Sequence, residues 1–340
     1  MSRRTGTRPA PRWIRAAHAT ATVPPPLDGA WAPVDLRLDE VERFPLPTGG
    51  APEDVLVDSD GRLVAGGVDG RLWRWAGDAR PGDRPELLAE TGGRPLGIET
   101  DPRDGSLVVC DADRGLLRVT ADGVVTDLAD TAAGAPIRFC NNAAVAADGT
   151  VYFTDSSDRY GIDTWKRDLL EHRPNGRLLR YDPRTRRVDV VTPGLYFPNG
   201  VALTPDESAL VVAETSTHRL LRITLDGAVT GLADLPAYPD NLSAVGDGTY
   251  WVALPSPRLP IEERLLPYPF VRQVAALLPD LLQPQPRRYG LVALVDGAGK
   301  VLRTLHGPSG TYRMVTGVRQ DGERLWLGSL VEDGVARVSV

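Results

Sequence analysis

The chain is poor in several residue types, and each scarcity narrows what it can be. Among 340 residues there are two cysteines, Cys110 and Cys140. Both fall in or beside the inner strands of neighbouring repeats. Two buried thiols are expected; a disulfide stays open, because spacing alone does not give its geometry. An excess of positive charge is also lacking. The net charge is -6, which gives a nucleic-acid role no electrostatic support. Lysine is almost absent, Lys166 and Lys300 being the only two. No run of about 18 apolar residues exists, so no spanning helix is expected. The basic start, with Arg3, Arg4, Arg8, Arg12 and Arg15, is not followed by a continuous apolar stretch. A secretory signal is therefore not expected, and the chain reads as cytoplasmic. Residues 1–30, rich in Thr, Ala and Pro, read as a flexible tail ahead of a domain over 31–340.

What is abundant is turn chemistry. With 35 Gly, 30 Pro and 42% hydrophobic residues, the composition suits many short strands. Six segments carry a turn Asp before an apolar run: Asp60, Asp104, Asp148, Asp206, Asp247 and Asp321. The runs include Leu107-Val108-Val109, Val151-Tyr152-Phe153 and Leu325-Trp326-Leu327. A further strand follows in each copy, and a fourth is visible in five copies. Four β-rich runs per repeat, bounded by Gly, Pro and Asp, read as propeller blades. The expected fold is all-β, a six-bladed β-propeller. A β-solenoid or an open sandwich is the structural alternative.

The sixth copy lacks its fourth strand, because the chain ends at Val340. Residues 34–44 alternate apolar and charged side chains and have no blade of their own, so they are expected to supply it. Such closure removes an exposed edge.

The same register exposes a candidate site. Seven residues before each turn Asp stand Glu53, Gly97, Asn141, Asn199, Asp240 and Met314. In a closed ring of repeats these positions share one centre. Glu53, Asn141, Asn199 and Asp240 together form an all-oxygen set, which suits a hard cation such as Ca²⁺ or another divalent ion rather than a zinc–thiolate site. Taken singly, each has a plainer reading: Asn199 between Pro198 and Gly200 fits a turn, Asp240-Asn241 fits another, and Glu53 fits a solvated acid. Asp240 is the candidate base or nucleophile, with Glu53 the other carboxylate. Glu214 reads either as an acid behind the site or as a salt-bridged strand residue. His218 and His306 lie outside the ring register and are not expected to act.

Two insertions, 156–175 and 255–289, interrupt the blades. A short helix is expected over 164–172 and another over 270–278. Both insertions follow the second strand of a blade with a ring residue, so a lid over the central pocket is expected. An interfacial membrane helix is the alternative for the second; membrane association is not the favoured reading. Asn142, Trp165, Tyr196 and Trp251 are candidate pocket residues, although the aromatics could equally pack between blades.

The order of several motifs resembles the strictosidine synthase-like family. These are Phe139-Cys140-Asn141-Asn142, then Val151-Tyr152-Phe153-Thr154-Asp155-Ser156-Ser157, Asn175-Gly176-Arg177-Leu178-Leu179, Phe197-Pro198-Asn199-Gly200-Val201, Val212-Ala213-Glu214-Thr215 and Tyr238-Pro239-Asp240-Asn241. Gly328-Ser329-Leu330 near the end fits as well. The insertion in the fifth blade is similar to that of the adipocyte plasma membrane-associated protein branch. The resemblance covers about residues 46–340. It implies kinship with the gluconolactonase, paraoxonase and diisopropyl fluorophosphatase propellers, and a Ca²⁺-type ion at the bottom of the pocket held by Glu53, Asn141, Asn199 and Asp240. It implies hydrolysis of a small-molecule lactone, ester or phosphotriester. A strictosidine synthase-like synthase or isomerase of secondary metabolism is the alternative, and a non-catalytic ligand-binding propeller a third reading. Two departures stand out. Asn142 occupies a place where many relatives carry Asp. The sixth-blade glutamate of plant strictosidine synthase aligns with Met314, Val315 or Thr316, none of them a carboxylate.

Overall fold

The computed structural model describes residues 13–20, 23 and 25–340. Six four-stranded antiparallel sheets follow one another along the chain. Blade 1 runs from Val55–Val57 to Glu86–Glu90, blade 2 from Pro95–Thr100 to Val125–Ala129, and blade 3 from Cys140–Val145 to Arg187–Leu195. Blade 4 spans Pro198–Leu203 to Val229–Asp234, and blade 5 spans Leu242–Ala244 to Val301–Gly307. Blade 6 contributes Val315–Asp321, Arg324–Ser329 and Gly334–Ser339 and takes its outer strand, Glu42–Pro45, from the N-terminal side. The fold is the expected six-bladed propeller.

Turn chemistry explains the regular spacing. In blades 2 to 5 the Oδ1 atom of the turn Asp accepts the backbone N–H two residues on: Ser106, Thr150, Ser208 and Thr249 donate at 2.9 to 3.1 Å. This Asx turn fixes where the first hairpin of the blade folds back. Apolar burial then lies between blades rather than at the axis. Each of six clusters joins two neighbours; Val211, Leu220, Tyr250 and Leu291, for example, bridge blades 4 and 5, and Phe44, Val55, Trp75 and Trp326 bridge blades 6 and 1. Cys110 and Cys140 meet in the cluster between blades 2 and 3 as buried free thiols.

Ring closure uses a shorter strand than expected. Only Glu42–Pro45 pairs with blade 6, with Glu42 opposite Arg337 and Pro45 opposite Gly334. A Cβ on Gly334 would lie 2.2 Å from the Phe44 carbonyl oxygen, so glycine is what lets the strands meet. Phe44 is fully buried, edge-on to Trp326 at 5.0 Å, and the Arg337 guanidinium lies over both rings. Residues 34–41 are not strand. Val34 is 85% and Leu36 46% exposed, and only Leu38 is buried, in the cluster between blades 5 and 6. Asp35 holds this stretch against the outer strand of blade 5: its carbonyl accepts His306 N–H at 2.8 Å, and its carboxylate pairs with Arg303 at 3.0 Å. The alternation was real, but its partner is a seam between blades and not a sheet edge.

Both insertions fold over one end of the axis. The first forms helix α1, Trp165–Glu171. The second forms two helices where one was expected: α2, Pro260–Leu265, and α3, Pro269–Ala275. Each begins with proline, which suits a first helical turn. Arg272 of α3 is buried and ties the lid together. It donates to the carbonyls of Leu170 (2.7 Å) and Leu266 (2.9 Å), and to that of Ala17. Part of the segment read as a tail is docked here. Ile14 is buried against Tyr160 and Ala276, and Ala17 N–H donates to Glu171 O at 2.9 Å. Residues 1–12, 21, 22 and 24 lie outside the described residues. The outer face of α3 presents Phe270, Val271 and Val274 to solvent. Among the described residues no helix is long and apolar enough to cross a membrane.

Candidate metal and substrate pocket

The ring register converges as the sequence implies. Glu53, Asn141, Asn199, Asp240 and Met314 all line one cavity beneath the lid. β-Bulges aim some of these side chains. Pairing slips between Cys140 and Ala143 in blade 3 and between Pro198 and Val201 in blade 4, so Asn141 and Asn199 each sit within a bulge. A bulge re-aims a side chain that regular alternation would send towards a neighbouring sheet. Blade 2 has the same slip at Gly97. No side chain fits there: a Cβ would lie 2.6 Å from Asn142 Cα and 2.7 Å from Asn141 O.

Hydrogen bonds hold one end of the Glu53 and Asn141 side chains and leave the other end free. Asn241 donates Nδ2–H to Glu53 Oε1 at 2.9 Å. Asn141 donates Nδ2–H to Ser156 Oγ at 2.9 Å, and Ser156 in turn donates to Pro198 O at 2.7 Å. Asn199 stands near the Asp240 carboxylate and favours its charged form. The remaining oxygens, Glu53 Oε2, Asn141 Oδ1, Asn199 Oδ1 and Asp240 Oδ1, are buried and lack any partner. Leaving so many buried oxygens unmatched is costly. Burial pushes the Glu53 carboxyl well up, with Asp240 and Asp54 adding repulsion. Burial likewise pushes Asp240 up to about 8 and Asp54 up to about 6.

Two carboxylates and two carboxamide oxygens with no donor among them are a donor set for a hard divalent cation. These four residues fit one. Among the described residues no group of three or more His, Cys, Asp or Glu is disposed to hold a metal, so a thiolate- or imidazole-rich centre has no support.

Above the ring the cavity is mainly apolar, walled by Leu96, Phe139, Trp165, Phe197 and Leu330 and roofed by Leu266 of the lid. The cavity volume is about 150 Å³.

Comparison with known proteins agrees with this architecture. A family model for strictosidine synthase matches residues 141–228, and one for the N-terminal part of strictosidine synthase-like proteins matches residues 29–75. Strictosidine synthase-like 6 of Arabidopsis thaliana is 35% identical over 85% of this chain and 79% of its own. This chain belongs to the strictosidine synthase-like family. The adipocyte plasma membrane-associated protein of Salmo salar is 32% identical, over 90% of this chain and 79% of its own. Among solved structures, a gluconolactonase from Xanthomonas campestris superposes with a TM-score of 0.63 at 19% identity, covering 98% of both chains. A calcium-binding regucalcin from Agrobacterium tumefaciens superposes at 0.59 with 15% identity, covering 87% of this chain and 91% of its own. At such identities the likeness bears on the fold alone.

Three of the pocket residues expected for this strictosidine synthase-like chain stand elsewhere. Trp251 is buried between blades 5 and 6 and donates Nε1–H to Gln320 Oε1 at 2.7 Å. It lies on a second strand, and both faces of that strand are covered by neighbouring blades. Asn142 turns away from the cavity, and its Oδ1 accepts Val201 N–H at 3.1 Å. Tyr196 stands behind the wall, its ring 5.3 Å from that of His172. Trp165 does line the cavity. Glu214 is a strand anchor: it accepts Tyr196 N–H at 2.9 Å and pairs with Arg219 at 2.8 Å. His306 is tied to Tyr289 and Thr304 on the outer strand of blade 5.

His218 was set aside by the register, yet it lines the cavity together with Ser216 and His172. It caps the short turn Thr215–Thr217 at the top of blade 4 with a left-handed backbone. Thr215 Oγ donates to Pro239 O at 2.7 Å, which pins this turn beside Asp240. The sequence signal was a hydroxyl-rich connection directly after a strand that ends in a buried acid.

Proposed function

We propose that this protein is a divalent-cation-dependent hydrolase, with Ca²⁺ the favoured ion, acting on an apolar small-molecule lactone, ester or phosphotriester. The observation that carries this reading is the set of four partnerless oxygens at the floor of a roofed, apolar cavity. Glu53, Asn141, Asn199 and Asp240 would hold the ion. When bound, it would supply Lewis-acid polarisation of a carbonyl or phosphoryl oxygen and neutralise the two carboxylates.

The chain's own residues supply the rest. Asn199 lies close enough to Asp240 to offset part of the rise that burial causes in its pKa. The Asp240 carboxylate that would hold the ion also borders the cavity. Asp240 then takes the proton of a water attacking the acyl carbon and returns it to the departing alkoxide, or adds to the acyl carbon with loss of the alkoxide to give an anhydride that water hydrolyses. Glu53 is held by Asn241 and serves as the second negative ligand. The apolar walls and the lid exclude bulk water, which strengthens charge interactions at the floor. The blade 6 position carries Met314, so no carboxylate stands there for the amine–aldehyde condensation of the namesake enzyme.

Metal analysis of purified protein should give about one equivalent of Ca²⁺, lost in Asp240→Ala. A panel of lactones and aryl esters should show Ca²⁺-dependent turnover. In Asp240→Asn that turnover should fall at least about a hundredfold, the scale of a lost positioned base. Full activity in Asp240→Asn, or no hydrolysis by metal-loaded parent across the panel, would overturn the proposal.

A further inference from the structure

The cavity has a second polar locus, outside the four-residue ring. Ser216 and His218 are each only 6% exposed, and both line the cavity. Ser216 Oγ and His218 Nε2 have no hydrogen-bond partner. Two unmatched polar atoms within one four-residue turn form a gap in the polar accounting that a ligand group would fill.

The surroundings define that group. His218 Nδ1 faces Glu263 Oε1 at 3.8 Å, and Arg258 holds the same oxygen at 2.7 Å. A carboxylate on that side favours the proton on Nδ1, which turns the Nε2 lone pair towards the cavity. Ser216 Oγ–H is free to donate. One acceptor and one donor side by side match a hydroxyl, which both donates and accepts. An anionic group is disfavoured. The guanidinium of Arg258 is committed to Glu263, and burial holds His218 and His172 well below the ordinary imidazole range, hence neutral.

We propose that Ser216 and His218 form a hydroxyl-binding subsite, so that the ligand of this pocket is an apolar molecule carrying a neutral hydroxyl. The hydroxyl donates to His218 Nε2 and accepts from Ser216 Oγ. The subsite is a binding feature independent of hydrolysis; only its description as part of a substrate site rests on the reading above.

The test is calorimetric titration with matched pairs of ligands: γ-lactones bearing an alkyl chain of two to six carbons and the same lactones bearing a terminal hydroxyl on that chain. The titration is done in EDTA to suppress turnover. In at least one pair the parent should bind the hydroxylated ligand at least about tenfold more tightly, because the other ligand leaves two buried polar atoms unmatched. Ser216→Ala and His218→Asn should each bring the two affinities of that pair close together. Asn tolerates the left-handed backbone at position 218, and circular dichroism checks the fold of both variants. Equal affinities in the parent for every pair, including no binding of any ligand, would overturn the subsite, as would a preference unchanged in both variants. A preference that stands while no lactone is hydrolysed with Ca²⁺ would remove the hydrolase reading and leave the subsite.

Discussion

Replacing Asp240 by Asn should make the metal-free protein more stable at neutral and alkaline pH. Asp240 is buried, one of its oxygens has no partner, and its pKa rises from 3.8 to about 8, chiefly through desolvation. A carboxyl whose folded pKa is raised stabilises the fold most below its unfolded pKa. That contribution is lost as pH rises through the folded value. For Asp240 the window runs from about pH 4 to about pH 8. The displacement is 8 − 3.8, about 4 units, on the order of 5 kcal/mol at roughly 1.36 kcal/mol per unit. Glu53 is raised as well, so the parent retains some pH dependence of the same sign after the substitution. The assay is urea unfolding of parent and Asp240→Asn in EDTA from pH 4.5 to 8.5. The two should be close at the acid end and diverge by several kcal/mol at the alkaline end, with the variant the more stable. Added Ca²⁺ at about a hundred times its Kd should return on the order of 2.7 kcal/mol to the parent and much less to the variant. Parallel pH profiles in EDTA would refute the reasoning, since Asp240 would then carry no desolvation cost for an ion to offset.

Three further predictions concern the ring closure and the lid. Phe44→Ala should destabilise the protein by about 3–5 kcal/mol, the usual loss for a buried aromatic, and deletion of residues 2–45 should leave blade 6 open and prone to association; removal of residues 2–25 should leave the ring closed. Equal thermal unfolding of the two truncations would mean that Glu42–Pro45 does not close the ring. Arg272→Met should loosen the lid and spare the propeller, because the guanidinium alone joins α3 to the carbonyls of Leu170, Leu266 and Ala17. Limited proteolysis should cut faster within residues 260–285 at an unchanged global melting temperature; unchanged cleavage would show that apolar packing alone holds the lid.

Much of the ring was legible because two local devices recur. Asx turns at Asp104, Asp148, Asp206 and Asp247 fix the first hairpin of four blades. Counting back seven residues therefore reaches equivalent points of the innermost strands. The bulges at Asn141 and Asn199 were not legible, yet they let these side chains look along the axis instead of at a neighbouring sheet. Where the reading went astray, alternation was trusted without knowing what covers each face. Tyr250 and Val252 of blade 5 face blade 4, whereas Trp251 and Ala253 face blade 6. Both faces of a second strand are thus sealed, and an aromatic there has no view of the pocket. Ser216 escaped notice and His218 was set aside because they lie in a connection, where no repeat register operates.

Asn142 shows how a departure in sequence changes meaning once its contacts are known. Beside a candidate metal ligand, a neutral residue in place of an acid suggests a weaker or altered ion site. Its side chain, however, turns to the next blade and accepts Val201 N–H. Asp54, which follows Glu53 as Asn142 follows Asn141, does the same work: its Oδ2 accepts Ile98 N–H at 3.1 Å. Both residues staple one inner strand to the next, and the staple needs only an oxygen. Asp54 supplies that oxygen at the cost of a buried carboxyl pushed up to about 6. Asn142 supplies it without a charge to desolvate. The exchange therefore spares the blade 3–blade 4 seam a buried acid while leaving the four oxygens of the ring in place, and any effect on the ion is confined to the longer-range field of one missing charge.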